Sequence, residues 1–258
     1  MCMDTGLTGA RVLVTGGAGG IGAAICRAFA AEGASVAVHY HRSEQAANDL
    51  AQEISGAAFH ADLRDPDHVG ALFDSVIERL GGIDICVAAA GYYDPAAAPA
   101  WEMDPSAFSA AIDTNLTTAF LTARAFLGHA ARTGCGSLVF LGSTAGVFGE
   151  ARHAGYAAAK APLTSGLLMT LKNEAALIGD GVRVNTVAPG WTVTPKRAAA
   201  GVAEDMVERA TSTMARKQLA SPEDVANQVV VIASDRLSAH MTGQVVTVAG
   251  GMEGRIVP

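Results

Sequence analysis

Seven short apolar runs recur along the chain, most of them followed by a longer stretch whose apolar positions fall three and four residues apart. The runs are Arg11–Thr15, Ser35–Tyr40, Ala57–His60, Ile83–Ala89, Ser137–Gly142, Val182–Ala188 and Gln244–Val248. Most are apolar throughout rather than alternating, the pattern of parallel strands covered on both faces. The stretches between them read as helices with marked starts. Asp65-Pro66, Asp104-Pro105 and Ser221-Pro222 each set a capping side chain before a proline at the first helical position, and Asp224 lies at capping-box spacing from Ser221. Strand and helix alternate with no solenoid-length repeat and no Pro/Gly/Ser-rich linker. The prediction is one α/β domain over residues 1–258, built on a doubly wound, parallel, seven-stranded sheet with helices on both faces. Two stretches break the rhythm, Tyr92–Trp101 and Trp191–Leu219. Both follow strands and so belong at the carboxyl edge of the sheet, where such folds bind ligands. The second, 191–219, reads as a substrate loop that acts as a lid.

Composition narrows the chemistry. Half of the 258 residues are hydrophobic but only 5% are aromatic, and there are 29 glycines. The core is therefore expected to be Ala, Val, Ile and Leu, with backbones packed close. Charged residues make up 17%, below the usual quarter, which is compatible with surface buried between subunits. A net charge of −7 without a basic cluster argues against nucleic acid as a partner. No apolar stretch approaches a membrane span, and Met1–Gly6 lacks the features of a signal peptide, so a cytoplasmic location is expected. Cys2, Cys26, Cys86 and Cys135 are far apart and read as reduced thiols. His39 and His41 alternate as strand neighbours, and two such residues make no metal site, so none is expected.

The segment Thr15–Gly22 contains Gly16, Gly17, Gly19, Gly20 and Gly22 between the first strand and the first helix. A glycine string by itself marks a turn. Between a strand and a helix it lets backbone approach a pyrophosphate, which the free N–H groups and positive dipole end of the helix then hold. At the end of the second strand, where an NAD site usually carries a carboxylate for the ribose hydroxyl, stands Tyr40, followed by Arg42 and Ser43. Arginine and serine suit a 2′-phosphate, which favours NADP over NAD, with NAD still possible. Both also have ordinary uses, Arg42 as a solvated loop charge and Ser43 as a helix cap.

Tyr156 and Lys160 are four residues apart, on one face of a helix. A nearby ammonium favours the phenolate and makes a tyrosine useful as an acid/base near neutrality. Ser143 lies at the end of the fifth strand, where its hydroxyl can hold a carbonyl or alcohol. Asn115 is a polar amide inside a helical stretch, and Pro189-Gly190-Trp191-Thr192-Val193-Thr194 follows the sixth strand.

Together these residues resemble the short-chain dehydrogenase/reductase family, in its compact single-domain, Rossmann-type branch. The resemblance covers essentially the whole chain and rests on Thr15–Gly22, Asp62-Leu63, Asn115, Ser143, Tyr156, Lys160 and Pro189-Gly190 with Thr194. It implies that Tyr156 is the acid/base, that Lys160 lowers its pKa and binds the nicotinamide ribose, and that Ser143 orients the substrate. Asn115 would hold a water in a proton relay. The dinucleotide would contact Gly16, Gly19, Gly20, Ile21, Tyr40, Arg42, Ser43, Asp62, Leu63, Ala89, Gly91, Tyr156, Lys160, Pro189, Thr192 and Thr194, with Asp62 on the adenine amino group. A homotetramer is implied as well. The chain departs from the family in three places. Ala88-Ala89-Ala90-Gly91 stands where Asn-Asn-Ala-Gly is usual, Gly19 stands where many NADP-dependent members are basic, and Pro162 falls two residues after Lys160, where it should bend the helix.

The expected reaction is reversible hydride transfer between a nicotinamide and a small carbonyl or secondary alcohol. Tyr92, Tyr93, Phe148, Trp191, Met206 and Met214 are candidate pocket-lining residues, as are Glu150, Arg152 and His153 for a polar substrate. The helix after the catalytic pair, Asn173–Ile178, offers no basic residue to an acidic carrier protein, which leans the reading towards a free small substrate. A 3-oxoacyl-carrier-protein reductase and a non-catalytic NADP(H) sensor are the alternatives.

Overall fold

The computed structural model describes residues 4–96, 98–194, 198, 201 and 204–252; within 204–209 the side chains of Glu204, Asp205, Met206 and Arg209 lie outside this description. Seven parallel strands form one sheet in the order β3-β2-β1-β4-β5-β6-β7. They are β1 (Arg11–Thr15), β2 (Ser35–Tyr40), β3 (Ala57–His60), β4 (Ile85–Ala88), β5 (Cys135–Leu141), β6 (Gly181–Pro189) and β7 (Val245–Val248). The first three match the sequence reading. In the other four the ends move by at most two residues: β4 and β7 are shorter, because an apolar run continues past the last ladder hydrogen bond, while β5 and β6 begin one or two residues before their apolar runs.

Alternation along each strand builds two cores. Val12, Val14, Val36, Val38, Ile85 and Val87 face α1 (Gly20–Ala31), α2 (Glu44–Glu53) and the late helix Pro222–Ala233. Leu13, Ala37, Cys86, Ala88, Leu138 and Phe140 face α3 (Pro66–Leu80), α5 (Thr118–Thr133) and α8 (Gly166–Ile178). Both faces are thus dry, which is why the strands read as unbroken apolar runs. The remaining described helices of eight residues or more are α4 (Pro105–Ile112), α9 (Glu204–Thr211) and α10, which is the Pro222–Ala233 helix; the shorter α6 (Thr144–Phe148) and α7 (Ala154–Lys160) carry the site, and α11 (Asp235–Ser238) follows α10.

The capping signals act as their chemistry demands. Asp65 accepts from Asp67 N and Asp104 from Ser106 N, while Ser221 and Asp224 close both halves of a capping box. Ser43 takes the N-cap position of α2 but makes no side-chain cap bond, so its hydroxyl is not consumed by the helix. The strand order reverses between β1 and β4, and the crevice above their carboxyl ends is where a doubly wound sheet places its ligand.

Candidate active site

A cavity of about 750 Å³ opens along that crevice. Every residue singled out above as catalytic or dinucleotide-binding lines it, from Arg42 and Ser43 at one end to Ser143, Tyr156 and Lys160 at the other. The glycine loop forms its floor. Gly16 has φ +65°, and a Cβ there would stand 2.8 Å from the Ala90 backbone. A Cβ on Gly22 would meet the Gly16 carbonyl at 2.2 Å, and one on Gly20 would meet Thr194 at 2.6 Å. Gly19 takes the N-cap position of α1 and has no side chain to cap it, which leaves the first-turn N–H groups for an anion. This cradle of backbone donors, too tight for side chains, fits the pyrophosphate of a dinucleotide.

Two side chains from the ends of β1 and β2 hold the loop. His39 is buried in β2, accepts from Gly16 N at Nδ1 (3.0 Å) and lies 3.1 Å from Ala61 O at Nε2. Its proton therefore sits on Nε2, and burial pushes its pKa down to about 4. Thr15 Oγ1 accepts from both Ala89 N and Ala90 N, at 3.1 and 3.2 Å. That hydroxyl ties the end of β1 to the end of β4 at the very place where the usual asparagines are replaced by alanine.

The adenosine end is more basic than Arg42 alone makes it. Arg64, not singled out from sequence, forks onto Asp62 through Nε (2.9 Å) and a terminal nitrogen (2.6 Å) and lines the cavity. The pair holds the Asp62 carboxyl far below the usual carboxylate range. His41 approaches the same carboxylate at 3.8 Å. Glu44 lies four residues after Tyr40; burial first and then the Glu44 charge raise the Tyr40 pKa, and Glu44 does not line the cavity. No spacing rule links Arg64 to this end; only the turn after β3 brings it there.

At the reacting end, Ser143 lies two residues past β5 in extended backbone and accepts from Ala145 N at 3.1 Å as the cap of α6. Its hydroxyl also acts on Tyr156, lowering the pKa of that phenol. Tyr156 and Lys160 share a face of α7, with Lys160 Nζ 5.8 Å from the phenol ring centroid and 2.9 Å from Leu141 O. Pro162 does not bend a longer helix. It sits in a 3-10 turn, Ala161–Leu163, so α7 ends at Lys160 and α8 begins afresh at Gly166. The lysine thereby occupies a helix C-terminus, where a cation is favoured.

The expected lowering of the Tyr156 pKa by Lys160 is not what the protein's own groups produce. Burial raises it first and foremost, the Ser143 hydrogen bond lowers it, and the Glu150 charge raises it again. Burial also brings Lys160 down to about 8. The phenol is therefore the resting form.

Asn115 is buried in a π-turn, Asp113–Thr117, between α4 and α5. Its Nδ2 donates to Ala111 O (3.1 Å), the carbonyl that its backbone N–H would take in an α-helix, and to Tyr92 O (3.0 Å). Its Oδ1 accepts from Tyr92 N at 3.0 Å. A Cβ on Gly91 would lie 2.6 Å from Asn115 Oδ1 and 3.4 Å from Lys160 Nζ, so the three positions adjoin.

Of the remaining candidates, Tyr92, Tyr93, Glu150 and Trp191 line the cavity. Met214 is buried and Phe148 is exposed, and neither lines it. The Met206 side chain and residues 195–197, 199–200 and 202–203 of the expected lid lie outside the described residues. Among the described residues no cluster of metal-ligating side chains occurs, and no helix is long and apolar enough to cross a membrane.

A parallel sheet with this strand order, a glycine cradle at its switch point and a serine, tyrosine and lysine at one end of the crevice define a nicotinamide-dependent oxidoreductase. The family model described as enoyl-(acyl carrier protein) reductase matches residues 16–253, and the chain belongs to the short-chain dehydrogenase/reductase family. It is 36% identical to a cis-4-hydroxycyclohexanecarboxylate dehydrogenase of Sinomonas cyclohexanicum, over 93% of this chain and 94% of that one. It is 32% identical to an acetoacetyl-CoA reductase of Allochromatium vinosum, over 93% and 97%. The match to a 3-oxoacyl-[acyl-carrier-protein] reductase of Synechocystis is also 32%, over 96% and 98%.

Proposed function

We propose that the protein uses NADPH to reduce the keto group of a 3-oxoacyl thioester, reversibly, to the secondary alcohol. The observation that carries the reaction class is the meeting of Ser143, Tyr156 and Lys160 at one end of a dinucleotide-sized cavity. The substrate class is supported by the relatives named for acetoacetyl-CoA and 3-oxoacyl carrier-protein reduction, which align over nearly all of the chain.

A bound NADPH supplies the hydride. Tyr156, held as a phenol by burial, gives its proton to the carbonyl oxygen, which the Ser143 hydroxyl holds in place. Lys160 supports the tyrosine from one helical turn away. Asn115 fixes the Gly91–Tyr92 backbone beside that ammonium and serves the proton relay. Gly16, Gly19, Gly20 and Ile21 take the pyrophosphate; Asp62 and Leu63 take the adenine; Ala89, Gly91, Pro189, Thr192 and Thr194 take the nicotinamide half. Tyr40, Arg42, Ser43 and Arg64 take the adenosine phosphate. The preference for NADP over NAD is supported by two arginines at the rim and by Tyr40, in place of a carboxylate, as the last residue of the second strand. One catalytic domain carries the whole site, with 191–219 as its substrate loop. Apolar side chains exposed on the helices, Phe108, Phe120, Met169 and Leu177, support a homotetramer, and the reduced-thiol reading of the cysteines supports a cytoplasmic location.

A second reading, oxidation or reduction of a free alicyclic alcohol or ketone, is favoured by the 36% relative and by the absence of basic residues in Asn173–Ile178. Initial rates from nicotinamide absorbance, with NADPH and NADH against an acetoacetyl thioester and a panel of cyclic ketones, test both. Turnover of the thioester with an NADPH preference is expected. Turnover of cyclic ketones alone would move the assignment to the second reading, and silence throughout, in protein that binds NADPH, would leave a sensor. Arg42→Ala should cut the NADPH preference about tenfold.

A further inference from the structure

The reacting end of the cavity carries a hydrogen-bonded array that the proton transfer does not use. Tyr93, in the segment after β4, donates its hydroxyl to Glu150 Oε1 at 2.8 Å and lies 2.8 Å from His153 Nε2. A phenol has one proton, and here the carboxylate takes it, so the hydrogen between Tyr93 and His153 belongs to the imidazole. The order runs from imidazole N–H to phenol oxygen and from phenol O–H to carboxylate. The rings are packed as well, Tyr93 against His153 at 4.6 Å between centroids and edge-on to Tyr156 at 5.1 Å and 86°. Glu150 is thereby fixed beside the acid/base tyrosine.

Glu150 and Tyr93 both line the cavity, and Glu150 Oε2 accepts no hydrogen bond from any described residue. The charge is felt where the chemistry occurs, since it pushes up the Tyr156 pKa. Among the described residues, the cations lining the cavity do not neutralise it there. Lys160 is buried and bonded to Leu141 O, while Arg42 and Arg64 stand at the adenosine end. Arg152 is exposed and outside the lining.

We propose that the Tyr93–Glu150–His153 array is a charge filter for the substrate: it admits carbonyl compounds that are neutral around the reacting carbon, preferably with an O–H or N–H donor towards Glu150, and rejects those bearing a carboxylate there. Two like charges in a half-desolvated cavity repel strongly enough for a discrimination of tenfold or more. The array thus selects a thioester over its free acid and a hydroxyketone over a ketoacid. The inference rests on the reductase reading, and within its second substrate class it sets this chain apart from the 36% relative, which is named for a carboxylate-bearing alcohol.

The test compares kcat/KM with NADPH within neutral and anionic pairs, an acetoacetyl N-acetylcysteamine thioester against acetoacetate and 4-hydroxycyclohexanone against 4-oxocyclohexanecarboxylate. Wild type is expected to favour the neutral member at least tenfold in whichever pair it reduces. Glu150→Gln keeps an acceptor for Tyr93 and should shrink the neutral-to-anionic ratio about tenfold, mainly through KM. Raising the salt concentration should shrink the ratio in wild type but not in the variant. A ratio unmoved by Glu150→Gln, or a wild-type preference for the anionic member, overturns the filter. NADPH-binding protein that reduces none of the four compounds overturns the reductase reading on these substrates, and the filter with it.

Discussion

A single imidazole shows how much a residue can carry without touching the chemistry. His39 joins the first, second and third strands at the foot of the glycine loop, because its two ring nitrogens engage Gly16 N and Ala61 O. His39→Phe fills the space but leaves the Gly16 N–H without its acceptor, a loss on the order of 1–3 kcal/mol. NADPH affinity, followed by nicotinamide fluorescence, is expected to fall about tenfold, while His39→Asn should recover part of it. The same residue predicts a pH dependence. Its folded pKa of about 4 lies below the unfolded value near 6.5, so between these values the unfolded chain binds the proton and the native one does not. Its contribution to stability is complete above about pH 6.5 and falls away as the pH drops towards 4, by up to about 3 kcal/mol. Urea unfolding at pH 7 and pH 4.5 should show a smaller loss in His39→Asn than in wild type. At the reacting end, Tyr156→Phe is expected to abolish turnover and leave NADPH affinity within a few-fold, since the ring remains and only the transferable proton goes. Comparable rates in that variant would remove the tyrosine from the mechanism.

Among the elements, legibility from sequence follows the range of the forces that form them. Caps and prolines act locally, so Asp65, Asp104 and Ser221 could be read from two or three neighbours. Ser221→Ala removes one half of the box on α10 and should cost about 1 kcal/mol, seen as a fall of roughly 2–4 °C in Tm. The strands were legible because both their faces are dry. Tyr156 and Lys160 were legible as a pair because four residues set them on one helix face, whereas Ser143 and Asn115 joined them only through the family resemblance. Other features arise only in three dimensions. The π-turn that turns Asn115 inward leaves no periodicity of its own within a helical stretch. Arg64 enters the site by pairing with Asp62 at a strand end, and Thr15 replaces two missing amides from the far side of the ladder. Pro162 shows a different limit. A proline rule says that the helix is disturbed, but whether it bends or ends there depends on the packing of α8, and in this chain it ends. Tyr93, Glu150 and His153 were visible as candidates, yet the 2.8 Å contacts that turn them into one array join residues more than fifty positions apart.

For the molecule as a whole, the sheet sets the order of events. Strands β1 to β4 occupy consecutive places, 3-2-1-4, and come from the first 88 residues. The last strand, β7, pairs only with β6 along Thr186–Pro189 and begins at Val245. On a ribosome, the glycine cradle and its His39 and Thr15 braces can therefore close while most of the reacting end is still unmade. At roughly 5–20 residues per second, the wait for the remaining 170 residues is on the order of 10–30 s. Throughout that interval the free edge of β4, later covered by β5, is an open row of backbone donors and acceptors. The nascent chain thus holds every partner of the His39 and Thr15 braces before it has the serine, tyrosine and lysine of the reacting end, so the least protected stage of its synthesis is one at which that edge is bare.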